Sequence, residues 1–376
     1  MIGFAKPDSP WLLAFSLGCY VSALACLVFA LRLWVGGARK AACAEALLFA
    51  LLVLFFFSLE SLGEVRIPFY SYPLAFQDSR APFPLDIWWL QTCWGCTPGM
   101  ELCRQIVRSL SPNLPLSIPL MEASLAFAAL WTARLLGASR IGLPVLTGLA
   151  ALLVDSVLDP IVATALNPVN QGEGLIQVTR NHGLGLWRWV VVGDIRPDAF
   201  GIPLVNYGVW FAGPVILVTI IEILRKLGGW DHRIHVPFLD LPSSRATRET
   251  PTWLWLALVG GSVLVILLSP EFSRWLPWAV QEGLFYATVT GAFVHFIWTW
   301  QGSPRRKTMQ WEFAIPLCFF LGLPIVYLLS NEDLRNEPML VTSTLAYFAI
   351  GLFYCFSPYV PRVTASDEAP ATVIEV

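Results

Sequence analysis

Long apolar runs separated by shorter polar stretches recur along the chain. A membrane-spanning helix needs about 20 predominantly apolar residues, and nine runs come close to or exceed that length. The predicted spans are 11–35, 42–62, 114–136, 141–165, 203–225, 252–270, 275–300, 311–330 and 338–358. We therefore predict an all-α fold, a polytopic membrane bundle of nine or ten transmembrane helices.

The tenth candidate span, 86–103, differs from the other nine. Pro98, Gly99 and Glu101 interrupt its apolar run. Irregular backbone at membrane depth is tolerated only where protein or water covers it. The segment is therefore either a tenth span or a re-entrant segment that enters and leaves on one side of the membrane.

Positive charges predict the orientation, because cytoplasmic loops carry an excess of Lys and Arg. The connection 226–251 holds four such residues and the connection 301–310 holds three. We predict both connections to be cytoplasmic and the long connection 166–202 to lie outside. The expected location is the cytoplasmic (inner) membrane of a bacterium or an archaeon.

Composition excludes several other classes of protein. Only 13% of the 376 residues are charged and 56% are hydrophobic, whereas about a quarter of the residues are charged in soluble domains. A soluble enzyme and a disordered chain are therefore excluded. The net charge of −2 provides no basic surface for phosphates. We expect membrane lipid and no nucleic acid among the partners.

Ionisable side chains inside spans are costly and mark functional sites by default. The residues of this kind are Glu45, Glu60, Glu122, Asp155, Asp159, Glu222, Glu282 and His295. Asp155 and Asp159 share one helix face, because they lie four residues apart near the outer end of the span 141–165. Two like charges one turn apart favour keeping a proton on one of them, as a general acid requires. The alternative is a structural pair that water solvates at the membrane edge.

The Asp-x-x-x-Asp spacing has a second interpretation. Membrane prenyltransferases bind Mg²⁺-diphosphate through such a motif. That chemistry usually needs a second acidic motif and basic residues for the phosphates, and the sequence shows no second motif. We therefore expect no Mg²⁺-diphosphate site at this motif.

Polar and aromatic residues elsewhere are candidates for the same site. Glu60 ends the span 42–62, as either a site residue or an interfacial glutamate capped by water. Asn206 and Tyr207 open the span 203–225, and Trp187 and Trp189 precede it. Aromatic ring faces stabilise cations, so a cavity with these rings and carboxylic acids suits a carbocation. The Trp pair alone is equally typical of an interfacial belt.

Four segments resemble, in this order, the carotenoid biosynthesis membrane proteins that include the carotenoid 1,2-hydratases and bisanhydrobacterioruberin hydratase-like proteins. The segments are ESLGEVRIPFYSYP (60–73), DSVLDP (155–160), the Trp187-x-Trp189 pair and GIPLVNYGVWF (201–211). The resemblance covers roughly residues 40–225. Departures from the family pattern are Tyr70 in place of a glycine, a longer stretch between the second and third segments, and four additional spans near the C-terminus.

The resemblance implies a hydro-lyase that adds water to a terminal C=C of an acyclic carotenoid without a cofactor. It implies catalytic roles for Asp155, Asp159 and Glu60. One aspartic acid would protonate the double bond, and the other carboxylate would position water. The substrate-binding residues that it implies are Tyr70, Tyr72, Trp187, Trp189, Asn206 and Tyr207.

A site that contains both Glu60 and Asp155 requires the two residues to lie on the same side of the membrane. Glu60 lies on the same membrane side as Asp155 with nine spans, and on the opposite side with ten, so the hydratase hypothesis favours nine. The predicted organisation follows the resemblance. It comprises a hydratase-like membrane domain (1–225), a cytoplasmic loop (226–251), an additional four-helix membrane segment (252–358) and a disordered tail (359–376).

Two other functional classes fit the same composition. One is a non-catalytic carotenoid-binding or structural subunit of a larger membrane complex, because the extra spans and 17 Trp residues suit contacts with pigments or other membrane protein subunits. The other is a transporter. Many transporters contain inverted repeats, and no internal repeat is evident in this sequence.

Overall fold

A computed structural model describes most of the predicted helical regions. The described residues are 10–66, 70–71, 86–88, 113–139, 142–168, 176–180, 187–190, 197–199, 202–227, 278–302 and 308–360. Within them the chain forms eight helices of 19 to 28 residues and one single-turn helix. They are α1 (Pro10–Val35), α2 (Arg39–Arg66), α3 (Ser117–Leu135), α4 (Gly142–Val162), α5 (Leu204–Leu227), α6 (Trp278–Gly302), α7 (Trp311–Ser330), α8 (Glu332–Arg335) and α9 (Pro338–Phe356).

Six helices among the described residues are long and apolar enough to cross a membrane. They are α1, α2, α4, α5, α7 and α9. The chain is therefore an integral membrane protein with a helical bundle, which confirms the predicted fold class. Helices α3 and α6 also coincide with predicted spans, but polar residues lower their hydropathy. The predicted span 252–270 lies outside the described residues, and of the candidate 86–103 only 86–88 are described.

Helices α3 and α4 form the interior of the bundle. All 21 residues of α4 and 17 of the 19 in α3 are buried. Helix α3 packs against α1, α2, α4 and α7, and α4 also contacts α5, α6, α7 and α9. A helix that is apolar on every side is expected to be enclosed by others. The surrounding helices α1, α2 and α5 instead expose large apolar side chains along their outer faces.

The predicted division of the chain at residue 225 stays a prediction. Helices α7 and α9 come from the predicted C-terminal segment, yet they pack against α4, and α7 also contacts α1 and α3. One apolar core contains residues from both sides of the predicted boundary. The loop 226–251 lies outside the described residues except for the end of α5, and the tail is described only as far as residue 360.

Ion pairs show which helix ends meet. Arg32 near the end of α1 pairs with Glu312 at the start of α7. Arg134 near the end of α3 pairs with Glu45 near the start of α2 and with Glu222 near the end of α5. We call the end of the bundle that contains these ion pairs of Arg32 and Arg134 the cationic end. The sequence between α6 and α7 contains three further cations, and the assignment of this end of the bundle to the cytoplasm by the positive-inside rule stays a prediction.

Short strands lie in the connections between helices, where the sequence pattern predicts none. Strands β1 (Tyr70–Ser71), β4 (Ala163–Pro168), β5 (Ile176–Arg180) and β6 (Trp187–Val190) form a sheet in the order β1-β6-β4-β5. Two further pairs are β2 (Asp86–Trp88) with β3 (Asn113–Pro115), and β7 (Pro197–Ala199) with β8 (Ile202–Pro203). Strand β4 follows α4 directly, so the four-stranded sheet begins at the end of the bundle opposite the cationic end.

Candidate active site

Asp155 and Asp159 lie in the last two turns of α4. Their exposed fractions are 0% and 2%. Helix α4 continues through Pro160 to Val162, so both aspartates have helical backbone and are four residues apart on one face. The predicted pairing of two carboxyl groups on one face is thus present, within the protein interior rather than at a solvated edge.

Asn206, in the first turn of α5, joins the two aspartates. Its side-chain amide nitrogen donates a hydrogen bond of 3.0 Å to Asp155 Oδ2 and one of 2.6 Å to Asp159 Oδ2. Asn206 is itself buried. The amide has two hydrogens, and each is directed to one carboxyl group. Asn206 therefore fixes the relative position of the two carboxyl groups.

The second oxygen of Asp155 is in a different situation. Asp155 Oδ1 is buried and has no hydrogen-bond partner among the described residues. Buried polar atoms are almost always hydrogen-bonded, so this oxygen is a candidate contact for a water molecule or a ligand. Asp155 and Asp159 consequently differ, although their positions in the helix are similar.

Glu122 and Glu60 complete the carboxyl cluster, which we define as Glu60, Glu122, Asp155 and Asp159. Glu122 lies in the second turn of α3, is 5% exposed, and makes a side-chain hydrogen bond with Glu60 near the end of α2. It is also close enough to Asp155 and Asp159 for electrostatic repulsion. Three helices thus bring four carboxyl groups together.

Sequence reasoning identified Glu122 only as one of several ionisable residues inside the spans and did not assign it to the site. Its presence inside a predicted span is a signal, but the sequence does not show which helix face or which neighbours it meets. Only the packing of α3 against α2 and α4 places it beside Glu60 and the aspartates.

The Glu60–Glu122 contact also bears on topology. The C-terminal end of α2 lies beside the N-terminal end of α3. Both are at the end of the bundle opposite Glu45 and Arg134. The connection 67–116 therefore starts and finishes on one side of the membrane. This is the arrangement that the nine-span alternative requires.

The aromatic candidates occupy the sheet and the start of α5. Tyr70 lies opposite Trp189 in the antiparallel β1–β6 pair, and Trp187 lies opposite Ala163 in the parallel β4–β6 pair. Strand β6, which contains both Trp residues, therefore pairs with β1 on one side and on the other with β4, the strand that follows the helix of Asp159. Tyr207 is buried next to Asn206, and Tyr72 lies outside the described residues.

The ionisable residues at the cationic end form a different network. Glu45 is fully buried and accepts hydrogen bonds from Trp131 Nε1 at 3.0 Å and from Arg134 at 3.5 Å. Arg134 also pairs with Glu222 at 3.4 Å and lies 4.7 Å from the centre of the Trp131 ring. Arginine thus compensates the charge of Glu45 and Glu222. Among the described residues, Asp155 and Glu122 take part in none of these ion pairs.

The carboxyl cluster lacks the geometry of a metal site. In the described part of the chain, no group of three or more His, Cys, Asp or Glu residues is arranged to hold a metal ion. The cluster is instead a network of carboxyl groups and one amide. Such a network can hold protons, orient water and stabilise a positive charge.

Comparisons of the whole chain with protein-family models, with curated proteins and with solved structures find no match. The chain is a helical polytopic membrane protein with six candidate spans among its described residues and a buried carboxyl cluster at one end of its bundle.

Proposed function

We propose that this protein is a membrane enzyme of carotenoid biosynthesis, a carotenoid 1,2-hydratase that adds water to a terminal C=C of an acyclic carotenoid by acid catalysis. The observation that carries the proposal is the asymmetry of the aspartate pair. Asn206 holds the Oδ2 atoms of Asp155 and Asp159, while Asp155 Oδ1 is buried without a partner among the described residues.

The difference between the two oxygens of Asp155 indicates which aspartate is the general acid. Because Oδ2 of Asp155 accepts a hydrogen bond from Asn206, a proton on Asp155 belongs on Oδ1. No described protein acceptor binds that proton. An O–H group in such surroundings is available to an alkene, which is a very weak base. Asp155 is therefore the general acid in the proposed reaction.

The proposed reaction conserves atoms and electrons. The π electrons of the terminal double bond take the proton from Asp155 Oδ1 and form a C–H bond at the less substituted carbon, which leaves a tertiary carbocation. The oxygen of water then bonds to that cation, and the released proton passes to the carboxylate of Asp159. The product is a tertiary alcohol, and no oxidation or reduction occurs.

The surroundings of the aspartates suit the carbocation. Preorganised negative charge lowers the energy of a developing cation, and in this proposal Asp159 supplies a carboxylate close to Asp155, while Glu60 adds a further acid to the site. Aromatic faces add to this stabilisation. In this proposal, the side chains that line the substrate site are Tyr70, Tyr72, Trp187, Trp189, Asn206 and Tyr207.

The substrate and partners follow from the same chemistry. An acyclic carotenoid is apolar and dissolves in the bilayer, so it reaches the site laterally from lipid. The acid chemistry needs no cofactor. Other membrane protein subunits belong to the alternative proposal, a non-catalytic carotenoid-binding or structural subunit of a larger complex.

Pigment analysis tests the proposal. The chain is expressed in a host that makes an acyclic carotenoid, and the extracted pigments are examined by mass spectrometry. We expect a product heavier than the substrate by one water. Asp155→Asn should lower its yield by about a hundredfold or more, the usual contribution of a general acid.

The matched control is Asp333→Asn, because Asp333 lies in α8 and is exposed. This variant should retain full activity. An unchanged pigment profile for both Asp155→Asn and Asp159→Asn contradicts the hydratase. Copurification of unmodified pigment with a chain that makes no product supports the binding subunit instead.

A further inference from the structure

We infer that Cys318 of α7 and Cys355 of α9 are a redox-active pair of thiols, a modification site at which a lipid-soluble oxidant of the quinone class forms a disulfide between the two helices. The inference does not depend on the proposed hydratase function, because neither cysteine belongs to the carboxyl cluster or to the four sequence segments of the resemblance.

The first step is the contact between the two sulfur atoms. Cys318 Sγ and Cys355 Sγ are 3.7 Å apart, although the residues are 37 positions apart in the sequence. Both residues are free cysteines. The S–S bond of a disulfide is about 2.05 Å long, so the two sulfur atoms have to approach each other by about 1.7 Å. Helices α7 and α9 are already neighbours in the bundle, so the bond requires no new helix contact.

The second step is the comparison with the other described cysteines. Cys19 and Cys26 are buried in α1, and Cys43 is exposed in α2. A single buried cysteine usually acts as a small apolar side chain. In the described part of the chain, the contact between Cys318 and Cys355 is the only one that joins two cysteine sulfur atoms. These two thiols are therefore the pair that is placed for oxidation to a disulfide.

The third step is the close packing of α7 against α9 beside the pair. A Cβ atom at Gly351, one turn before Cys355, would lie 2.8 Å from Cδ2 of Leu321, which follows Cys318 by three residues. Only a residue without a side chain permits this approach. The absence of a Cβ atom at Gly351 thus brings the two cysteine-bearing turns together.

The end of α9 is also held on both sides of Cys355. Tyr354 donates a hydrogen bond of 3.0 Å from its hydroxyl group to the carbonyl oxygen of Leu146 in α4. The carbonyl oxygen of Ser357 accepts one of 3.2 Å from Trp300 Nε1 in α6. These bonds fix the backbone that carries Cys355, so the thiol stays directed at α7.

The fourth step is access to the pair. Cys355 is 2% exposed, whereas Cys318 is partly exposed. Both residues lie in helices that are long and apolar enough to cross the membrane, so an oxidant has to reach them through lipid. Quinones dissolve in lipid and accept two electrons and two protons, which is the number that a pair of thiols releases. Cys318 is therefore the entry point for the oxidant, and Cys355 completes the disulfide.

The reaction conserves atoms and electrons. One S–H bond breaks on each cysteine, and one S–S bond forms between them. The pair of thiols loses two electrons and is oxidised. The quinone gains these electrons together with the two protons, and is reduced to a hydroquinone with two new O–H bonds. A thiol reductant reverses the modification by thiol–disulfide exchange.

Oxidation of the purified full chain in lipid nanodiscs tests the site. The chain is incubated with tetramethyl-1,4-benzoquinone, the remaining free thiols are alkylated, and linked peptides are identified by mass spectrometry. We expect a peptide pair that joins Cys318 to Cys355, is lighter by two hydrogen atoms than the two reduced peptides, and disappears on treatment with a thiol reductant. Absence of this pair, or linkage of either residue to a different cysteine instead, overturns the inference.

Variants and thermal unfolding provide the controls. Cys318→Ala and Cys355→Ala should each abolish the linked peptides, and Cys43→Ala should retain them. Because a disulfide restricts the unfolded chain, the oxidised wild type should melt a few degrees higher than the reduced wild type, whereas the quinone should not shift the melting temperature of Cys318→Ala. A melting temperature of the wild type that does not rise means that the bond distorts the native packing, and overturns the inference.

These measurements use no carotenoid. Failure of the disulfide to form therefore leaves the proposed hydratase unaffected. Failure to detect a hydrated pigment likewise leaves the cysteine pair unaffected.

Discussion

Asn206 and Asp159 are joined by a hydrogen bond of 2.6 Å that links the first turn of α5 to the last turns of α4. The bond lies at the end of the bundle where the carboxyl cluster is assembled. Because the same amide also binds Asp155, the packing of α5 on α4 determines the geometry of both candidate catalytic groups.

Replacing Asn206 by leucine should damage both stability and activity. The variant leaves two buried carboxyl oxygens without their donor, and each unsatisfied buried group costs about 1–3 kcal/mol. We expect a lower melting temperature in detergent and loss of hydrated product. Asn336→Leu is the control, because Asn336 is exposed and surface changes usually stay within about 0.5 kcal/mol. A wild-type melting temperature for Asn206→Leu contradicts the assigned role.

Arg134 should be essential for the stability of the cationic end. Arg134→Met removes the cation that pairs with the fully buried Glu45 and with Glu222, and breaking a buried pair on one side costs about 3–5 kcal/mol. Adding Glu45→Gln should recover part of this loss, because the buried charge is removed as well. Unfolding free energies of the single and double variants measure the effect.

Arg335→Met provides the control for the Arg134 variant. Arg335 is exposed in α8, so its replacement should be nearly neutral. Equal effects of the two arginine variants would show that general loss of positive charge, rather than the buried pairing, determines stability.

The positions of the helices follow from the sequence because each apolar run is long enough to span the bilayer. The local part of the site follows as well. Asp155 and Asp159 share a helix face by their spacing, and their location in an apolar run marks them as functional candidates.

The remainder of the site depends on tertiary packing. The partnership of Glu60 with Glu122 requires that α2 and α3 lie side by side and that 67–116 returns to the same membrane side. A hydrophobic pattern encodes neither condition. The Trp187-x-Trp189 pair is typical of an interfacial belt, yet its backbone forms a strand, because β1 and β4 provide hydrogen-bonding partners from distant parts of the chain.

Gly148 should tolerate no larger residue. A Cβ atom there would lie 2.5 Å from the carbonyl oxygen of Phe211 and 2.6 Å from Cγ2 of Val215, so α4 and α5 would have to separate. Gly148→Ala should cost about 1–3 kcal/mol, as overpacking of a core does. It should also lower activity by displacing Asn206 from the aspartates. Thermal unfolding and pigment analysis measure the two effects.

Gly213→Ala is the matched control for Gly148→Ala. Gly213 lies in α5, and a Cβ atom there would meet nothing within 4 Å. Alanine should be neutral or stabilise the helix by up to about 1 kcal/mol. If both glycine variants behave alike, helix propensity rather than the approach of α4 and α5 explains the result.

Cysteine labelling should place the two ends of the bundle on opposite sides of the membrane. Lys40→Cys lies at the start of α2, at the cationic end, and Glu332→Cys lies between α7 and α9, at the other end. Both positions are exposed. A membrane-impermeant maleimide applied to intact cells should label the Glu332→Cys variant and leave the Lys40→Cys variant unlabelled. In permeabilised cells both variants should be labelled. The unsubstituted chain gives the background labelling. Lys40 and Glu60 lie near opposite ends of α2, so this result would also place the carboxyl cluster near the outer face of the membrane. Equal labelling of the two variants in intact cells would contradict that placement.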